Sequence, residues 1–572
     1  MLRDLFERES NAMWAGLRRL AQRDPRLERL YGVDVDARVA RLVQSGAFVV
    51  ASALASLETD DQALTRPLVA AALPEALRPR PSSTILERSF READARDVRG
   101  HVISAQVGGV ALPFEAVWSA VAAPMQVADV RVDRIHAQRQ VLRITFGGLG
   151  GVALGGVLPD KLRIYVHVEP RRVALDLLHA LRTAGEPILV SGSRPQRARP
   201  LESTLPPTVL RWVRVDTDEP PLTSAPVDRF GSGTLLRDLH SFPESFSFLE
   251  LDVTGVPRTN LATLTLTLPL ARVVEEGAAL SRENFRLFCT PATNHYAAAI
   301  EPIRTVREES EWPLAVAGRP HAEILHVRSM FVEARSDAEG RRPIASWEAP
   351  GEPHAFDPDD VYYRLEQSPH AARGELLVSF ATLERFFAPA PAGIVEGEVL
   401  ATDGALTAAL GLGDVRSPSH GLTNISRVSP SHRAPLGQNH ATRVSAYARM
   451  PARELADPVH LTAFVGLHDL SEAQDGQARV RRPQFLQMRR AREHTLSGRT
   501  LQWGDAFEVD VGLGACSEGE AWLVGALLAR ALAERSEAID FSRLTLVRGG
   551  ARRRVFAEYA PRPGERLPFP LG

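Results

Sequence analysis

Cysteine is almost absent from the 572-residue sequence, which contains only Cys289 and Cys516. The two lie far apart, so they cannot form a CxxC metal or redox motif, and such low usage fits a reducing compartment. No apolar signal-peptide core follows Met1, and the longest nearly uncharged run, 42–57, is too short to span a bilayer. We therefore expect a soluble, cytoplasmic protein with no direct membrane insertion.

The sequence also has almost no net charge, since 68 Lys and Arg face 70 Asp and Glu. A nucleic-acid binder normally carries a basic surplus, so we expect no nucleic-acid partner. The segment 471–505 is rich in arginine, but its aromatic residues are too sparse for a stacking platform. A solvated or partner-facing segment is the favoured interpretation there.

Motifs for catalysis, metal binding and phosphate binding are missing. The only lysine, Lys161, lies outside any Gly-Lys-Ser/Thr sequence, and the glycine run 147–156 is not followed by a helix long enough for a dinucleotide site. The histidines form no zinc motif, and Ser417 and His420 lack a nucleophile elbow. Asp357, Asp359 and Asp360 lack the glycine and closing glutamate of a calcium loop. We expect no catalytic residue, cofactor or metal.

The first 80 residues have helical periodicity, with helices predicted up to Asp24, over about 39–57 and over about 61–73. The broad apolar face of the middle helix has two interpretations: a three-helix subdomain packed on itself, or a helical segment that completes a bundle with a partner. The candidate interface residues are Leu17, Leu20, Val39, Leu42, Val43, Val50 and Leu54.

The rest of the sequence is dominated by short alternating strands, of which 262–268 is the clearest. The C-terminal segment adds a helix with a Ser517–Glu520 capping box between strands. The predicted fold is α+β and multidomain. The predicted domains are an N-terminal helical segment (1–80), a β-rich domain (81–225), a second β-rich domain (226–345), a loop-rich β domain (346–505) and a C-terminal α/β domain (506–572).

Two segments carry distinctive sequences. The first, 235–251, contains three phenylalanines around Pro243, and the alternation after Ser245 predicts a strand entered through a proline corner. The second, 287–302, places Cys289 at the end of an apolar strand before a Thr-Pro turn. His295 follows closely enough to suggest an activated thiol, but a buried structural cysteine is the favoured interpretation.

These segments resemble the TssF family (also called VasA or ImpG) of type VI secretion baseplate subunits. The stretch 235–246 is similar to its Leu-x-x-Tyr-Phe-x-Phe-Pro-Glu-Lys-Phe signature, and 287–303 to its Leu-x-Cys-Thr-Pro-x-x-Asn…Ala-Glu-Pro-Ile signature. The N-terminus, 460–470 and the tail 561–568 resemble the family in the same order. The segment 460–470 is similar to the end of a strand in the family, so the resemblance predicts a strand there. The matching signature residues are Leu236, Phe242, Pro243, Glu244, Phe246, Cys289, Thr290, Pro291, Asn294, Glu301 and Pro302.

The resemblance implies a structural, non-enzymatic subunit of the baseplate wedge. It implies assembly with TssG, TssE, TssK and a second copy of TssF around the VgrG spike, with the baseplate docked at the inner-membrane complex. In this family the N-terminal helices share a bundle with TssG. Two alternatives stay open: a baseplate subunit of a related phage-like or extracellular contractile injection system, and an enzyme with an unrecognised site.

Overall fold

The computed structural model describes residues 2–23, 38–52, 78–90, 96–136, 139–194, 201–223, 231–273, 280–305, 310–333, 341–347, 360–367, 376–382, 391, 393–433, 440–470, 478–497, 500–549 and 553–566. The chain divides into two compact units. The smaller comprises 1–77 with 436–448, and the larger comprises 78–435 with 449–572.

Nine helices lie in this described part of the chain. They are α1 (Leu2–Arg23), α2 (38–52), α3 (Leu154–Val157), α4 (Arg171–Arg182), α5 (Ser232–Ser241), α6 (His440–Arg449), α7 (Ala452–Leu455), α8 (Pro458–Leu467) and α9 (Glu518–Arg535). Helices α1 and α2 confirm the first two predicted N-terminal helices, whereas the third, 61–73, lies outside the described residues.

All of the described strands fall in the larger unit. They are β1 (Ser83–Arg88), β2 (Val102–Val107), β3 (Val110–Ala116), β4 (Met125–His136), β5 (Arg139–Gly148), β6 (Lys161–Val166), β7 (Ile188–Ser193), β8 (Leu201–Leu205), β9 (Leu210–Trp212), β10 (Phe248–Asp252), β11 (Thr263–Leu270), β12 (Phe285–Leu287), β13 (Cys289–Thr293), β14 (Tyr296–Ala299), β15 (Ile303–Arg304), β16 (Glu311–Pro313), β17 (Glu323–Glu333), β18 (Arg341–Pro343), β19 (Ala345–Ser346), β20 (Tyr362–Gln367), β21 (Leu376–Ala381), β22 (Ile394–Thr402), β23 (Arg416–Ser417), β24 (Leu422–Asn424), β25 (Gln484–Ser497), β26 (Thr500–Gly512), β27 (Phe541–Arg548), β28 (Arg554–Glu558) and β29 (Arg562–Pro563).

Within the described residues these strands form six sheets. The orders are β2-β3-β13-β1-β24-β23; β12-β6-β10-β9; β4-β5-β11-β7-β8; β14-β22-β17-β18 with β15 beside β22; β16-β21-β20-β19; and β25-β26-β27-β28 with β29 beside β27. The α+β prediction is confirmed. The first sheet joins segments that are distant in the chain: β1 pairs with both β13 and β24.

The first sheet curls back on itself, since its two outermost strands, β2 and β23, contact each other. Its interior is apolar, and its buried side chains include Leu86, Ile103, Leu112, Phe114 and Leu422. Alternation between the two faces of each strand places these side chains on the inner surface.

Strand β11 shows how directly the sequence specifies a strand in this protein. Its leucines are buried and its threonines half-buried, in strict alternation, and it lies between β5 and β7. The predicted strand over 262–268 is thereby confirmed with a shift of one residue at the start and two at the end.

The C-terminal sheet packs against α9. The Ser517 hydroxyl accepts from the Glu520 amide, and the Glu520 carboxylate accepts from the Ser517 amide, so the predicted capping box is confirmed. Strand β27 runs parallel to β26, with α9 between them in the chain. Trp522 of α9 stacks on Trp212 of β9, with ring centroids 5.1 Å apart.

Three local predictions were wrong. The chain forms α5 and then a 3-10 turn over Pro243–Phe246, so the strand begins at Phe248 rather than Ser245. Thr290 and Pro291 lie inside strand β13 and not in a turn. The predicted strand over 460–470 is helix α8, whose N-cap residue Asp457 accepts from two backbone amides.

Candidate functional site

The predicted interface residues of the N-terminal helices lie on more than one face. On α2, Val43 is buried together with Ala47 and Ala51, at the four-residue spacing of a helix face. Leu42 points away from that face and is 72% exposed. Leu17, Val39 and Val50 are half-buried, whereas the Leu20 side chain and Leu54 lie outside the described part of the chain.

Helix α2 packs on α1 at a glycine. A Cβ atom placed on Gly46 would lie 3.7 Å from the Met13 Sδ atom, which is ordinary van der Waals contact. Three large apolar side chains of α2 remain in solvent: Leu42, Phe48 (53% exposed) and Val49 (65% exposed). Leu42 and Val49 are two turns apart and therefore share one side of the helix. We call Leu42, Phe48 and Val49 the exposed α2 face.

The first signature segment is buried in the larger unit. Leu236, Phe242 and Phe246 are at most 1% exposed, and Pro243 is buried. Glu244 is largely buried and forms an ion pair with Arg171. These residues therefore stabilise the fold and offer no accessible surface.

The same segment holds a buried charge. The Arg214 side chain, which has no solvent exposure, forms an ion pair with Asp238 of α5. Its guanidinium also donates to the Ser245 hydroxyl (2.8 Å) and lies 4.7 Å from the centre of the Phe246 ring. A buried charge is tolerated only when it is paired and hydrogen-bonded, so this arrangement fixes α5 against the 3-10 turn.

The two signature segments meet in one core. Phe242, Phe248 and Cys289 pack in a single apolar cluster with Trp118 and Tyr165. Burial raises the pKa of the Cys289 thiol well above its ordinary value, so the thiol is neutral at physiological pH. The interpretation of Cys289 as a buried structural cysteine is confirmed.

Thr290 and Pro291 continue this core as part of β13. The Thr290 hydroxyl donates to the Trp118 carbonyl at 2.9 Å and accepts from the Trp118 amide at 3.0 Å. It thereby replaces a strand partner at the point where β3 has ended. Both residues are buried, so neither can contact another protein in this fold.

Asn294 is the centre of a second polar group. Its amide oxygen accepts from the Thr402 hydroxyl and the Asp403 amide, both at 2.8 Å. Its amide nitrogen donates to the Asp403 carboxylate (3.0 Å) and to the Pro113 carbonyl (2.8 Å). All four hydrogen bonds are inside the protein, so this side chain links β3, β13 and β22.

The Asp403 carboxylate, which is fully buried, collects further donors. Tyr296 donates at 2.8 Å, Arg319 at 2.8 Å, and the His321 ring nitrogen lies 3.1 Å away. Burial and the Asp403 charge together raise the pKa of Tyr296. We call Asn294, Tyr296, Arg319, His321 and Asp403 the Asp403 cluster. The groups of this cluster use one another as hydrogen-bond partners. The cluster therefore has the chemistry of a structural hydrogen-bond network that holds segments together, rather than that of a reaction site.

Glu301 and Pro302, the last signature residues, are exposed and belong to neither buried group. The Glu301 amide donates to the Ala315 carbonyl at 2.9 Å. The structure therefore divides the predicted signature residues into nine that are buried or largely buried and two at the surface.

Other candidate chemistry does not converge. Ser417 lies 2.9 Å from the His420 ring, but Ser417 is the N-cap residue of a one-turn 3-10 helix that ends at His420, so the contact is local turn geometry. In the described residues no three His, Cys, Asp or Glu side chains are grouped as metal ligands would be. A cleft of about 300 Å³ is lined by Arg182 and Asp216, which form an ion pair with each other. No described helix is long and apolar enough to cross a bilayer.

Three features were not predicted from the sequence. No sequence motif marks Arg214 or Asp403, because the residues next to each in the sequence are ordinary polar ones. Only the fold brings their partners close to them. Strand β25 was also missed, because polar residues occupy both of its faces. Its length alone, from Pro483 onwards, could have suggested one arm of a hairpin with the strand that follows.

Similarity to known proteins extends over nearly the whole chain. The model of the family "Type VI secretion system, TssF" matches residues 2–566. A solved structure of a type VI secretion TssK-TssF-TssG baseplate subcomplex is similar over 92% of this chain and 100% of that one, with 18% identity and a TM-score of 0.70. A second, described as the baseplate complex from the type VI secretion system, covers 99% of this chain and 100% of that one, with 16% identity and a TM-score of 0.58. No curated protein sequence matches significantly.

Proposed function

The chain belongs to the TssF family of type VI secretion proteins, and from this membership we propose that it is a structural subunit of the baseplate wedge. In this role it holds other subunits in place and carries out no reaction. Its partners would be TssG and TssK, which occur with a chain of similar fold in the solved subcomplex. The proposal extends to TssE, a second TssF copy and the VgrG spike, in a cytoplasmic baseplate docked at the inner-membrane complex.

The exposed α2 face is the observation that carries this proposal. A helix of a soluble domain normally buries its apolar side chains, and α2 does so with Val43, Ala47 and Ala51. Leu42, Phe48 and Val49 then remain as an additional apolar surface on the same helix. Such surplus apolar surface is typical of a segment that completes its packing with a partner. We propose that helices of a TssG-like subunit cover it.

The buried signature residues support the same function in another way. A subunit that transmits force between neighbours needs a body that does not deform, and the Arg214 pair and the Asp403 cluster each tie several chain segments together. Polar groups satisfied in this way hold one arrangement of a core. We therefore assign the buried signature residues to the stability of the subunit and the exposed α2 face to its contact with a partner.

Co-purification with a TssG-like subunit tests the proposal. We predict that the double substitution Leu42→Glu/Val49→Glu abolishes co-purification, because it places two charges in an interface that excludes water. Circular dichroism of the variant should match that of the unaltered chain, since both side chains are exposed and glutamate forms helices well.

Val459→Glu provides the matched control, because Val459 is also an apolar helix residue with 72% exposure but lies on α8. It should co-purify normally. Retention of the TssG-like subunit by the Leu42→Glu/Val49→Glu variant at the level of this control would contradict the proposed contact.

A further inference from the structure

Strand β25 is the longest edge strand of the described structure, and no other described strand pairs with its outer edge. It extends over Gln484–Ser497 and pairs on one side with β26. Within the described residues no backbone group bonds to its other side. Strands usually have five or six residues, so this edge offers about twice the usual number of unpaired backbone groups.

The edge lacks the irregularities that usually protect such strands. Apart from one bulge between Phe485 and Gln487, the eleven residues 487–497 keep an unbroken register with β26. Strand β4, the other long edge strand, is interrupted twice, between Val127 and Asp129 and between Arg134 and His136. Bulges twist an edge away from new partners, so β4 is blocked where β25 is open.

The middle of β25 is exposed on both faces, because Gln487 and the run 489–492 are exposed. Nearer the start of the strand Phe485 is buried, and α8 packs against β25. The part of β25 around Ala491 is therefore the part at which an added strand could pair.

Charged side chains are the remaining protection of an edge, and here they are compensated within the chain. Arg490 and Arg492 lie on one face and form ion pairs with Asp505, and Arg492 also with Asp540. On the other face Glu493 forms an ion pair with Arg543. With these pairs formed, Arg489 is the one remaining charge of 487–495 for which the described residues show no ion pair, so the edge carries only a small positive charge.

The order of residues along β25 is complementary to itself. When two copies run antiparallel and are centred on Ala491, Arg489 of each copy lies opposite Glu493 of the other. Gln487 then faces Thr495, Met488 faces His494, and the small Ala491 side chains meet on the symmetry axis. Arg490 faces Arg492, but each of these has its own carboxylate partner. Oppositely charged residues directly across a strand pair are stabilising.

We infer that β25 is a self-pairing edge, through which two copies of this chain join their C-terminal sheets into one continuous antiparallel sheet centred on Ala491. A twofold contact between identical strands is self-complementary and closes after two copies. The inference deepens the proposed function and rests on it, because it supplies the contact between the two TssF copies of a wedge.

A disulfide test reads the register directly. In the inferred pair the two Ala491 residues lie opposite each other, with Cβ atoms about 5 Å apart. The full-length Ala491→Cys variant should therefore form a disulfide-linked dimer under mild oxidation. The native Cys289 and Cys516 are buried and should not contribute. Ala128→Cys is the matched control, since Ala128 is an exposed alanine on the interrupted edge strand β4. It should yield only a trace of dimer.

A charge exchange provides the second measurement. Arg489→Glu places two carboxylates opposite each other and should weaken dimerisation about tenfold or more in analytical ultracentrifugation. The double variant Arg489→Glu/Glu493→Arg restores opposite charges and should recover most of the loss. A dimer yield of Ala491→Cys no higher than that of Ala128→Cys would overturn the inference. So would amide protection of 487–495 that arises only on adding a different subunit.

These outcomes are independent of the test of the proposed function. Failure of β25 to pair would leave co-purification with a TssG-like subunit unchanged. If the substitutions in the exposed α2 face abolished co-purification, the yield of the Ala491→Cys dimer would be unchanged.

Discussion

At the scale of single residues, the structure separates side chains that build the subunit from those that remain available. Asn294 illustrates the first kind, because both ends of its amide are used by four internal hydrogen bonds. Leu42 illustrates the second, because it is a large apolar side chain left in solvent. The signature residues thus report mainly on stability, and the contact surface has to be found from exposure.

Replacement of Asn294 by alanine should destabilise the larger unit strongly. It would leave the Asp403 carboxylate, the Thr402 hydroxyl and two backbone groups with fewer partners in a buried site. We expect a loss of about 3–5 kcal/mol in the free energy of unfolding, measured from the urea midpoint of this unit.

Glu301→Ala is the control for that measurement, since Glu301 belongs to the same signature but is exposed. It should change stability by less than about 0.5 kcal/mol. Equal effects of the two substitutions would contradict the assignment of Asn294 to a structural hydrogen-bond network.

His179 gives a pH-dependent prediction. Burial, together with the nearby Arg272 charge, lowers the pKa of His179 to about 3. The unfolded chain takes up a proton near pH 6.5, whereas the folded chain takes it up only near pH 3, so stability is full above 6.5 and falls as the pH drops through this window. This residue should contribute a slope of up to about 1.4 kcal/mol per pH unit.

His179→Phe removes the titrating group and keeps an aromatic ring beside Trp522. Urea midpoints of the variant should therefore fall less steeply with acid than those of the unaltered chain, between about pH 6 and about pH 4. The exposed His494, changed to glutamine, is the control. An unchanged slope for His179→Phe would show that this histidine is not the buried neutral group described.

At the scale of elements, the sequence predicted best those segments in which one periodicity and its end signals agree. Strand β11 alternates leucine and threonine, and α9 follows a capping box, so both were found. Helix α8 was mistaken for a strand although Asp457 and Pro458 form a standard helix start. The run Ala463–Leu467 is apolar without clear periodicity, and its buried environment allowed either structure.

Strand β25 and the stretch before β10 were missed for different reasons. The faces of β25 are both polar, so no alternation marks it. Around Pro243 the three phenylalanines are all buried, and they come from a 3-10 turn and a strand together. Long-range packing decides such segments, and the sequence window does not contain it. Arg214 and its partner Asp238 are likewise 24 residues apart in the sequence, and Asp403 and its partner Asn294 are 109 residues apart.

The capping box of α9 offers a test at this scale. Ser517→Ala removes the side-chain oxygen that accepts from the Glu520 amide and should cost about 1 kcal/mol in the free energy of unfolding. Ser517→Asp keeps an N-cap acceptor and should retain most of the stability. If both variants were equally destabilised, the cap would not be the reason for the loss.

At the scale of the whole molecule, the two compact units differ in the task that we propose for each. The larger unit is a set of sheets fixed by buried polar groups, and the long edge of β25 is unpaired among its described residues. The smaller contains α1 and α2, and the exposed α2 face lies on it. A subunit of a large assembly needs both properties: a body that keeps its shape and apolar surface that neighbours cover.

Hydrogen exchange of the full chain, alone and in complex with a TssG-like subunit, tests this division most directly. Amides of 38–52 should exchange far more slowly in the complex, because the partner covers Leu42, Phe48 and Val49 and prevents local opening of α2. Amides of 242–251 should exchange equally slowly in both states, since that core is complete without a partner. Unchanged exchange over 38–52 in the complex would contradict the proposed division of tasks.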